Sequence, residues 1–131
     1  MTLFVDYRFQ KHYTLAEARA LLPQVRQWLS RLNELRGYAA GLEEEIGRLM
    51  ARHGEAGGPP IQSSVRLLVE FKKVLREFQT RQILIKDLDR GLVDFPAILA
   101  GKEVFLCWEQ DEEDIEYWHD LEAGYAGRAP L

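Results

Sequence analysis

The sequence predicts an α+β fold, mainly α, in which a long antiparallel, coiled-coil-like helical hairpin carries a small C-terminal antiparallel β unit. Three observations predict it. Apolar residues recur at three- and four-residue steps from Leu22 to Leu49. A Gly/Pro break at residues 54–60 is followed by a second apolar run from Val65 to Leu88. Period-two runs rich in aromatic and β-branched residues follow Leu92.

The first helix is expected over residues 14–53. Thr14-Leu15-Ala16-Glu17 reads as a capping box, in which the threonine hydroxyl accepts the Glu17 amide and the glutamate reaches back to the Thr14 amide. Tyr7 to Tyr13 precedes it as an extended lead-in or short edge strand. Leu22, Val25, Leu29, Leu32, Ala39, Leu42, Ile46 and Leu49 form the apolar stripe. Pro23 removes a backbone donor and crowds the preceding turn, so a kink is expected there. Gly37, Gly41 and Gly47 each weaken the helix by roughly 1 kcal/mol relative to alanine, so it needs a partner.

The Gly/Pro-rich turn is placed at residues 54–63, with Ser63 or Ser64 capping a second helix over 64–90 that stops at Gly91. Its apolar residues Val65, Leu67, Leu68, Phe71, Val74, Leu75, Phe78, Ile83, Ile85 and Leu88 cover more surface than one partner helix requires. Antiparallel pairing of His53 near Ser64 carries Asp89 only as far as Trp28. Thr14 to Gln27 therefore overhangs, and the β-rich acidic unit at 92–131 is the material left to cover it. Within that unit Val104 to Trp108 and Ile115 to His119 read as strands around a polar tip, Glu109 to Asp114. Val93 to Ala97 reads as a third strand, placed at an edge by Pro96. All 131 residues are read as a single domain.

Charge narrows the function classes. Up to Gly91 there are 15 basic and 11 acidic residues; from Leu92 onward there are 2 and 10. An acidic end lacks the clustered Lys/Arg that nucleic-acid phosphates require, so no nucleic-acid partner is expected. No apolar run is long enough to span a membrane. The first residues, Met1 to Asp6, lack the pattern of a secretion signal, and the single Cys107 suits a reducing compartment, so a cytoplasmic location is expected.

No phosphate loop, paired-cysteine motif or nucleophile elbow is present. The candidate functional cluster is Asp94, Cys107, Glu112, His119, Asp120 and Arg128, with Glu122 nearby. Imidazole, carboxylate and thiolate are the usual ligands of divalent metals, and the candidate metal set is His119, Asp120 and Glu112. Against it, neighbours on a strand face opposite sides, which separates His119 from Asp120. Cys107 with His119 as its base would make a nucleophile, but a cysteine between Leu106 and Trp108 reads more simply as core. Trp108, Tyr117, Trp118 and Tyr125 are expected to cover the overhanging helix. Arg128 would hold an anion or pair with Asp94 or Asp120.

The chain resembles an uncharacterised bacterial family, domain of unknown function 2203. The likeness runs through Tyr13-Thr14-Leu15-Ala16-Glu17-Ala18, Leu21-Leu22-Pro23 and the stretch from Lys86 to Pro96. It continues through Leu106-Cys107-Trp108, Tyr117-Trp118-His119-Asp120-Leu121, Gly124-Tyr125 and Gly127-Arg128. Where the family carries a shorter, glycine-bearing turn before the glutamate matching Glu112, this chain has Asp111. The resemblance implies no established activity.

The residues themselves point to a non-enzymatic interaction or scaffold domain that self-associates through its helical hairpin, with a dimer favoured. The acidic tip offers a site for a basic protein partner. No cofactor is expected, apart from the divalent metal of the alternative reading, a metal-binding protein or metal-dependent enzyme centred on His119. A small-ligand pocket between the helix overhang and the β unit is the third reading.

Overall fold

The computed structural model of the protein describes residues 6–55 and 57–131. Met1 to Val5, which carry most of the argument against a secretion signal, and Ala56 of the Gly/Pro turn lie outside the described residues. The fold is α+β: α1 (Leu15–His53) and α2 (Pro59–Gln79) are followed by five strands. These are β1 (Leu84–Asp87), β2 (Leu92–Leu99), β3 (Lys102–Glu109), β4 (Tyr117–Asp120) and β5 (Ala129–Pro130), in one antiparallel sheet of order β1-β2-β3-β4-β5. The chain divides into two compact units, residues 1–26 with 78–131, and residues 27–77.

Both halves of the capping box form. Glu17 Oε1 accepts the Thr14 amide at 2.9 Å, and Thr14 Oγ1 accepts the Glu17 amide at 3.1 Å. The helix then runs as one element through Pro23 to His53 and ends on Gly54, whose φ of +73° lets its amide donate back to the Met50 carbonyl at 2.9 Å. The apolar stripe is fully buried at Leu22, Val25, Leu29, Leu32 and Leu35, and no further.

The second helix differs from the expected 64–90 at both ends. It begins at Pro59, because first-turn positions have no intrahelical use for their N–H groups and proline's fixed φ suits them. Ser63 and Ser64 therefore sit inside the helix rather than capping it. It ends at Gln79, well before Gly91. Gln82 takes a left-handed φ of +55°, the Ile83 amide donates to the Phe78 carbonyl at 3.0 Å, and the Gln82 amide to Gln79 at 3.1 Å. That is a Schellman ending with glutamine in place of glycine, and the buried side chains of Phe78 and Ile83 are its customary apolar pair. The released residues Leu84 to Asp87 become β1 instead of a last helical turn.

Gly91 has a different duty. With φ +62° it closes the β1–β2 turn, where Arg90 N donates to Asp87 Oδ1 at 3.1 Å and Gly91 N to the Leu88 carbonyl at 3.2 Å. A Cβ at Gly91 would lie 2.5 Å from the Gln110 side chain. The β2–β3 turn is Ala100-Gly101, both residues at positive φ (51° and 79°), the conformation of a two-residue type I′ hairpin.

The sheet is central to the first unit. Val93, Phe95, Ala97, Val104, Leu106 and Trp108 share one face, and all are buried. The Leu15–Arg26 stretch of α1 lies over this face: the Arg26 guanidinium stacks 4.8 Å from the Trp108 ring and donates to the Gln110 and Glu112 carbonyls at 2.7 and 2.8 Å. Arg19 donates to the Ile115 carbonyl at 3.1 Å and pairs with Asp114 at 2.9 Å. The start of α1 thus packs on the C-terminal unit. Tyr13 packs edge-on against Phe95, 5.5 Å between centroids.

Gly91→Ala combines a disfavoured φ with a steric clash. We expect destabilisation of more than about 1 kcal/mol in denaturant unfolding, with the slope of the transition unchanged.

Candidate functional site

Residues opposite one another on antiparallel strands share a face. The register aligns Asp94 with Cys107 and Tyr117, and Pro96 with Phe105 and His119, so these two adjacent rows lie on the sheet face away from α1. Asp94, Cys107 and His119 are brought together. Their ligating atoms all lie within 4.8 Å of one another, and the three side chains are almost completely buried.

The histidine tautomer follows from its neighbours. Nδ1 lies 2.7 Å from the Asp120 carbonyl oxygen, which can only accept, so Nδ1 carries the proton and donates it. Nε2 faces both Asp94 oxygens at 3.1 Å, so one proton is shared between the imidazole and the carboxyl. Burial pushes the Asp94 carboxyl above its usual range, outweighing the opposing influence of His119, Lys86 and Cys107. Burial, helped by the Asp94 charge, pushes the Cys107 thiol up to about 12, against the pull of the Arg128 cation. A thiol so held is not a nucleophile at neutral pH.

The other candidates have separate partners. The Asp120 carboxylate, in the alternate position along β4, pairs with Lys102 at 2.6 Å, while only its backbone carbonyl serves His119. Glu112 accepts a forked pair of contacts from Arg128 at 3.0 and 3.1 Å and the Glu109 amide at 2.9 Å. The expected metal set His119, Asp120 and Glu112 is therefore not assembled, and Arg128 pairs with neither Asp94 nor Asp120. Its guanidinium is clamped between the Tyr117 and Tyr125 rings, 4.1 Å from each. Of the four aromatics expected to cover the helix, Trp108 does so, but Tyr117 and Tyr125 serve Arg128 instead. Glu122 pairs with Arg8. At the acidic tip, Glu109, Glu112 and Asp114 are matched by Arg90, Arg128 and Arg19 within the same unit.

Glu103 was not among the sequence candidates. It accepts the Arg8 and Phe9 amides at 2.8 and 3.0 Å and lies 2.7 Å from His12 Nε2. Gln82 Oε1 accepts the Gln10 and Lys11 amides at 2.9 and 2.8 Å. Residues 8–12 are thereby strapped beside the buried cluster, with Phe9 edge-on to Phe105 at 5.4 Å. Burial raises the Glu103 carboxyl, but the His12 bond and the two amides together outweigh it and hold the group below its ordinary value. A groove of about 330 Å³ between α1 and the sheet is lined by Arg19, Glu116, Tyr117, Pro130 and Leu131.

Residues 11–131 match the model of a family described as "Uncharacterized conserved protein (DUF2203)". No curated protein and no solved structure matches the chain. No helix among the described residues is long and apolar enough to cross a membrane.

Two outcomes follow from these environments. Because Glu103 is held low, its contribution to stability is fully present above the ordinary glutamate value of 4.5 and fades as pH falls through the lower folded value. Glu103→Gln should be less stable than the wild type at neutral pH, and the gap should narrow on acidification in pH-dependent urea unfolding. Cys107 should resist iodoacetamide in the native protein at neutral pH and react once unfolded, as read by intact mass.

Proposed function

We propose, for a chain that belongs to the DUF2203 family over residues 11–131, that the protein is a non-enzymatic interaction module whose helix pair joins two copies. The reading rests on α2. Leu67, Phe71, Val74 and Phe78 form one apolar stripe, half-buried to buried, while Ile61, Val65, Leu68 and Val69 form a second that is 37–57% exposed. Spacings of four, seven and eight residues place the second set along one side of the helix. No described residue from Arg36 to Glu77 is buried, and Tyr38 and Met50 of α1 are also about half exposed.

A second copy is the occupant that fits. A twofold axis along the helices would set each α1 against the partner's α2, bringing the exposed Glu43, Glu44 and Glu45 opposite Arg66, Lys72 and Lys73. Two grooves of about 570 and 300 Å³, lined by Leu35, Tyr38, Leu42, Leu67, Leu68 and Phe71 among others, give the stripes somewhere to interdigitate. Each large apolar side chain moved fully from water contributes roughly 1.5–3 kcal/mol, so several suffice to offset the entropy of association.

Sedimentation velocity should give a dimer for the wild type. Leu68→Glu, at a half-exposed position, should give a monomer with unchanged far-UV circular dichroism. A monomeric wild type at high micromolar concentration would sink the proposal.

A further inference from the structure

Asp94, Cys107 and His119 supply one oxygen, one sulfur and one nitrogen from three adjacent strands. A hydrophobic triad of similar volume would fill the same space without burying polar atoms. We propose that these three side chains form a binding site for a divalent transition metal of the zinc class, with one coordination position left to water or a small exogenous donor. The proposal is independent of self-association, because it concerns the sheet unit and not the helix pair.

Four features carry it. The donor set is that of borderline metals, since thiolate and imidazole select zinc or cobalt over calcium or magnesium. The Nε2 edge of His119 faces the cluster, because its Nδ1–H is committed to the Asp120 carbonyl at 2.7 Å; this is the outer-shell arrangement that orients metal-binding imidazoles. The separation of Nε2 from each Asp94 oxygen is 3.1 Å. Two ligands on a tetrahedral zinc lie about 3.3 Å apart, so this pair needs a shift of only tenths of an ångström. The third donor, Cys107, lies within the same 4.8 Å cluster.

Charge also balances. Without metal, the Asp94–His119 pair with its shared proton and the neutral thiol sum to zero. A dication that displaces that proton and the thiol proton leaves carboxylate, neutral imidazole and thiolate around a charge of +2, again zero. The buried cluster thus gains three strong ligand bonds with no net charge added to the interior. The nearby Arg128 cation is offset by its forked pairing with Glu112, and Lys86 is exposed.

Cobalt(II) titration of chelator-treated full-length protein tests this. The expected result is one equivalent bound, a sulfur-to-cobalt charge-transfer band in the near ultraviolet, displacement of cobalt by zinc, and a raised thermal midpoint with either metal. Cys107→Ser should abolish the band and lower affinity at least tenfold. His119→Asn should remove the midpoint shift, whereas Asp120→Asn, on the opposite face, should keep both signals. If a histidine variant fails to fold, the near-isosteric serine variant still decides, its metal-free melt reporting that it is folded. Stoichiometric cobalt without the charge-transfer band, uptake that survives Cys107→Ser at full affinity, or no uptake by the wild type would each overturn the site.

Discussion

The pairing of β2 with β3 is the constraint on which the first unit depends. Eight residue pairs run from Leu92 opposite Glu109 to Leu99 opposite Lys102, and the tight Ala100-Gly101 turn sets their register. A slip of β2 by one residue against β3 would turn Phe95 away from α1 and push Asp94 toward the helix. The same register that buries the apolar face therefore builds the polar cluster on the other. Stability and site geometry are one specification here, which is why the two cannot drift apart without the sheet itself being lost.

The cluster is enclosed from several directions. Tyr117 sits in the Asp94–Cys107 row and stacks on Arg128, Phe105 lies 5.4 Å from the His119 ring, and Phe9 lies against Phe105. Glu103 and Gln82 accept four backbone amides of the strap that delivers Phe9, and the Arg8–Glu122 and Lys11–Glu17 pairs hold it as well. Gln82 also ends α2 through its left-handed backbone, so helix termination and strap placement share a single residue. The Arg128 column shows a similar economy: one guanidinium serves two aromatic rings and the carboxylate that folds the acidic tip.

What could be read from the sequence follows the range of the interactions involved. The Thr14–Glu17 cap was legible because both partners lie within one turn. The alternation along β4 separated His119 from Asp120, because neighbours on a strand face opposite sides. The end of α2 was not legible, since a left-handed glutamine gives no composition signal and Ile83-Leu84-Ile85 suits helix and strand equally. Pro59-Pro60 reads as a break although the pair is admissible as a helix start. Glu103 was invisible for another reason: its partners lie 91–95 residues away. The members of the buried cluster were named from residue type, yet only the register says that Asp94, not Asp120, is the carboxylate beside His119.

Pro96 has a further consequence. β1 pairs with β2 only as far as Asp94, so beyond that point no described strand pairs with β2 on that side. There the proline has no N–H to offer, and its carbonyl is taken by the Tyr13 amide at 2.7 Å. Those two features blunt an edge that would otherwise present Phe95, Ala97 and Ile98 to a passing strand. The turn into the first helix thus covers part of this strand edge, and freeing Tyr13 would leave the Pro96 carbonyl without its backbone donor.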